Sequence, residues 1–133
     1  MKLTFLRKTD LAVRALRHLD GAERTRSSEL AAAIGSTAAF VPQVMAPLVS
    51  AGFVDSSRGP TGGYRRTRPL ADIRFLDVIE AVEGPIDDGT CVLRGDRCRE
   101  TGPCAMHEMW SRARSALAAE LADTTLEPER RTT

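Results

Sequence analysis

The sequence predicts a mainly α fold with a small β-hairpin and a long C-terminal helix. Three observations predict it. Four segments repeat apolar residues at helical spacing, two short runs flank a glycine-rich turn, and the wing domain offers a last apolar stripe little to pack on. Apolar positions at i, i+3, i+4 and i+7 line one face of a helix, whereas short runs bounded by glycine and proline read as strands.

Leu11, Ala15, Leu16 and Leu19 define the first helix, with Thr9 or Asp10 placed to cap its start and Gly21 to end it. A polar linker over 23–26 leads to Ser27 and Ser28, N-cap candidates for a short helix through Leu30 and Ile34 that Gly35 closes. Ser36 and Thr37 open a third helix, which buries Phe40, Val41, Val44 and Leu48 and stops at Gly52. Pro42 falls near the tolerated first turn. Pro47 does not, and removing a backbone donor there predicts a bent or irregular helix. Helix, short glycine-containing turn, helix is the helix-turn-helix arrangement.

Residues 53–57 and 64–67 read as two strands joined by Arg58-Gly59-Pro60-Thr61-Gly62-Gly63, a turn rich in residues that permit positive φ. A hairpin directly after a helix-turn-helix is a wing, so the fold class sharpens to a winged helix-turn-helix. A fourth helix carries Phe75, Val78, Ile79 and Val82 and ends at Gly84-Pro85. Residues 86–103 have no periodicity, and so long a loop in a small protein implies something that orders it. The last helix is expected from Pro103, with Cys104 in its first turn, through Met106, Trp110, Ala113, Leu117 and Leu121. That stripe reads as a dimer seam; the alternative is packing against the chain's own first helix. The organisation expected is a winged helix-turn-helix over 1–69, then the fourth helix, cysteine loop and dimerisation helix over 70–126, then a disordered polar tail over 127–133.

The 133 residues allow one compact domain with an attached helix or two, and 42% apolar content is ordinary for a globular chain. No signal peptide or apolar run of membrane-spanning length is present, so a cytoplasmic protein without a membrane partner is expected. The net charge of +1 hides an asymmetry: residues 1–69 hold 11 Lys/Arg against 5 Asp/Glu, and residues 70–133 hold 8 against 13. A basic half is what a double-stranded DNA partner requires. Ser36, Thr37 and Gln43, at the start of the third helix, are candidates to reach base edges. Arg58, Gly59, Thr61 and Arg65 are the wing's candidates for DNA contact, within a hairpin that Arg66 and Arg68 make more cationic.

The chemistry concentrates in Cys91-x6-Cys98-x5-Cys104-x2-His107. An odd number of cysteines, all within this segment, argues against a disulfide framework and for a metal-binding cluster. Thiolate and imidazole together suit zinc or an iron–sulfur centre, and the long spacers favour the latter. No phosphate-binding glycine loop and no Ser/His/Asp set is present, so no enzyme is expected. Two other classes remain open. One is a winged-helix interaction module with structural zinc, and the other is a small cluster-carrying electron-transfer protein.

Met1-Lys2-Leu3-Thr4, Thr9-Asp10-Leu11-Ala12-Val13-Arg14-Ala15-Leu16, the wing Arg58-Gly59-x-x-Gly62-Gly63-Tyr64, and Asp77-Val78-Ile79-Glu80-Ala81-Val82-Glu83-Gly84-Pro85 together resemble the Rrf family of winged-helix regulators. The resemblance covers the chain to about Leu126. It implies a homodimer with crossing C-terminal helices that binds a palindromic operator, usually as a repressor. A cluster held by Cys91, Cys98 and Cys104 would set DNA affinity in response to redox state, nitric oxide or iron supply. The family's branches differ in the fourth ligand. Cys104-Ala105-Met106-His107 resembles the IscR type, in which the matching histidine completes a 2Fe–2S site, and this is the preferred reading. Thr9-Asp10-Leu11-Ala12 resembles the NsrR type, in which the matching aspartate, from the partner subunit, completes a 4Fe–4S site. The chain departs from the family pattern in about two extra residues between Thr4 and Thr9, and in one extra between Cys91 and Cys98.

Overall fold

Five α-helices and one hairpin are seen in the computed structural model, which describes residues 3–95 and 104–128: α1 Arg7–His18, α2 Ser27–Ile34, α3 Val41–Ser50, β1 Val54–Ser57, β2 Gly63–Arg66, a single 3-10 turn Leu70–Asp72, α4 Phe75–Glu83 and α5 His107–Asp123. The apolar spacings meet in one core. Leu11, Ala15 and Leu16 of α1 pack with Leu30 and Ile34 of α2, and with Val41, Val44, Met45 and Leu48 of α3. Ile73 and Val78 close it from below, so α4 shares the core of the helix-turn-helix. Each such aliphatic side chain, taken fully out of water, contributes about 1.5–3 kcal/mol.

Helix ends differ from expectation where another element supplies the cap. α1 starts at Arg7, so Thr9 and Asp10 lie inside its first turn rather than capping it. The carboxylate of Glu83, the last residue of α4, does the work instead. Its Oε2 accepts the Leu6 N–H at 3.1 Å and the Thr9 hydroxyl at 2.5 Å. α1 ends at His18, ahead of Gly21, because the Arg66 guanidinium donates to the carbonyls of Leu16 (3.0 Å) and Leu19 (2.7 Å). Gly35, at φ 75°, closes α2 as expected.

α3 begins only at Val41. Thr37 starts a turn in which its carbonyl accepts the Phe40 and Val41 N–H groups. Pro42 is therefore the second helical residue, where no intrahelical donor is needed. Pro47 lies inside the helix, which nevertheless runs uninterrupted to Ser50. The buried row Val41, Val44, Met45 and Leu48 outweighs the one hydrogen bond that Pro47 forfeits.

The wing is an antiparallel pair with Val54 opposite Arg66 and Asp55 opposite Arg65. Thr25 bridges to the other edge of β2 as a single-residue third strand, exchanging backbone hydrogen bonds with Tyr64 at 2.8 and 2.9 Å. Gly63 has to be glycine here. It sits at φ 132°, and a Cβ would come 2.5 Å from the Thr25 carbonyl oxygen.

The C-terminal region corrects the expectation most. α5 starts at His107, not Pro103, because Met106 is its N-cap and Cys104 precedes it in a turn. Proline and glycine suit a turn as well as a helix start. Beyond α5 the chain returns to the core. The Thr124 carbonyl accepts the Phe75 N–H at 2.9 Å, and the Leu126 N–H donates to Ile73 at 2.8 Å. Arg17 then donates to the Leu126 carbonyl at 2.8 Å while lying over the Phe75 ring. Leu126 is fully buried, so the last described residues form a clasp. No residue of α5 is buried, and its packing partner is α4 rather than α1. Of the expected tail, Glu127 and Pro128 are exposed and 129–133 lie outside the described residues.

Candidate functional site

Two surfaces collect the residues singled out from the sequence. The first runs from α3 to the wing. Thr37 and Gln43 are exposed at and just before the first turn of α3, and Ser36 is half-buried beside them. Arg58, Gly59 and Thr61 are exposed at the wing's turn. A cleft between wing and helices is lined by Arg26, Ser27, Pro42, Ser57, Arg58 and Gly59 among others. The Arg26 guanidinium spans it to donate to the Pro60 carbonyl, tying the start of α2 to the wing.

The wing's arginines divide by what they hold. Arg66 caps α1, and Arg68 lies 5.2 Å from the centre of the Phe53 ring. Arg65 donates to Asp55 at 3.1 Å, and Arg24, which the sequence reading passed over, donates to the same carboxylate oxygen at 2.7 Å. The Arg24 hydrogen bond, with the charges of Arg24 and Arg65, holds the Asp55 carboxyl below the usual carboxylate range against the cost of desolvation. Arg58 is left at the tip as the exposed cation of the turn.

The second surface is a cavity of about 390 Å³ lined by Cys91, Cys104 and His107, together with Asp87, Thr90, Trp110, Ser111 and Arg114. Cys91 comes from the loop after α4 and is buried. Cys104 is half-buried, and its carbonyl accepts the His107 N–H at 3.1 Å, a turn that keeps the two residues adjacent. Cys98 lies outside the described residues. Asp87 and Arg114 form an ion pair at 3.5 Å that fastens the loop to α5. Two aspartate-based turns shape the loop between them, with Asp87 accepting the Gly89 N–H and Asp88 accepting the Thr90 N–H. The Thr90 hydrogen bonds hold the Asp88 carboxyl below its usual range.

Asp10 stands apart from this cavity within the chain. It is exposed on α1, paired with Arg14 at 3.2 Å and Arg7 at 3.9 Å, and lines a different cleft with Phe5, Phe75 and Leu121. Among the described residues no three His, Cys, Asp or Glu side chains converge as a metal-binding group. The donor chemistry that faces the cavity, two thiols and an imidazole, is of the kind soft and borderline metals take. No helix among the described residues is long and apolar enough to cross a membrane. Arg24 and Arg114 carry no motif, and Glu83 lies in the quoted 77–85 stretch without any sign of its role; each role could be found only from the partner that the fold brings to it.

Comparison with known proteins shows the family. The family model Rrf2, described as an iron-dependent transcriptional regulator, matches residues 5–128. Protein aau3 of Rhizobium meliloti (strain 1021) is 30% identical over 130 residues, spanning 96% of this chain and 83% of that protein. The HTH-type transcriptional regulator IscR of Vibrio atlanticus (strain LGP32) is 36% identical over 92 residues, which span 69% of this chain and 53% of that one. CymR (YrzC), the global cysteine regulator of B. subtilis, superposes with a TM-score of 0.68 at 29% identity over 95% of both chains. T. potens IscR shares the fold, with a TM-score of 0.65 at 24% identity over 95% of this chain and 85% of its own. The hairpin after the helix-turn-helix is thus a wing, its relatives are transcription regulators rather than enzymes, and the chain belongs to the Rrf2 family of DNA-binding transcription regulators.

Proposed function

We propose that this regulator is a homodimeric repressor of a palindromic operator, and that an iron–sulfur cluster held by Cys91, Cys98 and Cys104 controls its grip on DNA. The observation that carries the reading is the shared cavity: Cys91 from the loop, Cys104 from the turn before α5 and His107 at the start of α5 face one space. His107 is the preferred fourth ligand, for a 2Fe–2S centre. The partner subunit's Asp10, for a 4Fe–4S centre, is the alternative. When bound, such a cluster supplies one-electron redox chemistry and reactivity toward nitric oxide.

The chain's own residues connect that cavity to the DNA surface. Arg114 and Asp87 fix the loop on α5. At its far end α5 is clasped to α1 and to the start of α4 through Leu126, Arg17 and Phe75. Glu83 joins the root of the loop to the first turn of α1, which packs on α2 and α3. A rearranged loop therefore bears on the helix-turn-helix from two sides, which is what a bistable element needs. The exposed face of α5, which carries Met109 and Leu117 at 44% and 47% exposure, is the surface this reading assigns to a second copy of the chain.

The test is an absorption spectrum of protein purified without oxygen, with iron and sulfide analysis. The reading expects coloured protein containing both. Colourless protein with one zinc per chain would overturn it in favour of a structural site. His107→Ala and Asp10→Ala then identify the fourth ligand by which of them loses the centre.

A further inference from the structure

Arg65 and Arg58 lie on the same wing, but in different company. The Asp55 carboxylate stands between two guanidiniums, taking Arg24 at 2.7 Å and Arg65 at 3.1 Å on one oxygen. Arg24 is well buried for an arginine, its side chain 22% exposed, and it also donates to the backbone carbonyls of Asp55 and Gly63. An isolated surface ion pair holds its partners weakly, because two long side chains must be ordered for little gain. Here Arg24 has already fixed the carboxylate on β1, and Arg65 stands directly opposite on β2, so little further ordering is needed to hold Arg65. Asp55 is also three residues before Arg58, roughly 10 Å along a strand. That exceeds the Debye length of about 8 Å at physiological salt, so the charge of Asp55 is largely screened at the tip and Arg58 keeps its pull on phosphate.

We propose that Asp55 is a specificity-determining residue: it withholds Arg65 from the DNA backbone and leaves Arg58 as the wing's phosphate contact, which curbs affinity for non-operator DNA. A phosphate that recruited Arg65 would have to displace a carboxylate that Arg24 keeps in place. The tight partner of Asp55 is thus a restraint on the wing rather than a support for its DNA contact.

The experiment measures affinity for an operator duplex and a random duplex at several salt concentrations, because each phosphate contact adds about 0.9 to the slope of log K against log salt. Arg65→Gln should leave the slope unchanged, whereas Arg58→Gln should make it shallower by about one contact. Asp55→Asn should steepen it by about one contact, tighten binding to the random duplex and narrow the gap between the two duplexes. Adding Arg65→Gln to Asp55→Asn should restore the original slope. A shallower slope for Arg65→Gln alone would overturn the proposal, since Arg65 would then already be touching phosphate. An Asp55→Asn variant that weakens both duplexes without changing the slope would also overturn it, reducing Asp55 to a brace for the wing. If Asp55→Asn fails to fold, the Arg65→Gln measurement still decides.

Discussion

α3 and α5 are both helices with apolar stripes, yet four of the ten residues of α3 are buried and none of the seventeen of α5 is. α3 tolerates a proline inside it because four elements hold it: α1, α2, α4 and the wing strand β1. α5 has a sequence better suited to a helix but packs chiefly on α4, fastened near its middle by the Asp87–Arg114 pair and just past its C-terminus by the Leu126 clasp. Helical stability in proteins comes chiefly from packing of the apolar face rather than from propensity. The contrast is one of cover: α3 lies in a core shared by α1, α2, α4 and the Leu126 clasp, whereas the exposed face of α5 is left for a partner, under the proposed function a second copy of the chain.

The largest effect should separate the two regions. Leu48→Ala removes a fully buried side chain and should cost about 2–5 kcal/mol in denaturant unfolding. The matching change in α5, Leu117→Ala, should barely move that midpoint and should instead weaken self-association, read by sedimentation at several concentrations. Equal losses of stability from the two would break the comparison.

A smaller effect should fall on the wing. Gly63→Ala drives a Cβ toward the Thr25 carbonyl from a backbone conformation L residues rarely adopt. We expect roughly tenfold weaker DNA binding with helical circular dichroism intact, which corresponds to a loss of about 1.4 kcal/mol of contact from a misplaced wing. Unchanged affinity would mean the wing's docking on Thr25 does not matter for DNA.

The smallest effect concerns the start of α4, where Asp77 accepts the Arg74 N–H at 3.0 Å and the Arg74 guanidinium at 2.6 Å. The Arg74 hydrogen bond holds the Asp77 carboxyl below its usual range. A carboxyl whose folded pKa is lowered favours the folded state fully above the ordinary value near 3.8, and that contribution fades as pH falls toward the lowered value. Asp77→Asn should cost about 1 kcal/mol at neutral pH and flatten the acid limb of stability against pH. A variant with the same acid limb as the parent would remove Asp77 from the account.

Wherever an element's own residues decide it, the sequence was enough: Gly35 ended α2, Gly84 ended α4, and the glycines after Arg58 marked the hairpin. It misled where a distant residue decides. Thr9 looked like a cap, but Glu83 caps that helix from 74 positions away. Arg65 and Arg66 both read as wing cations, yet strand alternation turns one to Asp55 and the other to the carbonyls of α1. The Asp55–Arg65 pairing could have been read from the hairpin register once the turn was placed, whereas Arg24 could not. The cysteine spacing pointed to one site, and two of its thiols do share a cavity with His107. The start of α5 was misplaced because Pro103 and Gly102 signal a turn and a helix start alike.

The central claim, that the cysteine site governs DNA binding, is tested most directly by the affinity of cluster-loaded and cluster-free protein for one operator duplex at one fixed salt concentration. The account predicts a clear difference in affinity or in site preference between the two forms. Equal affinity and equal preference would contradict it.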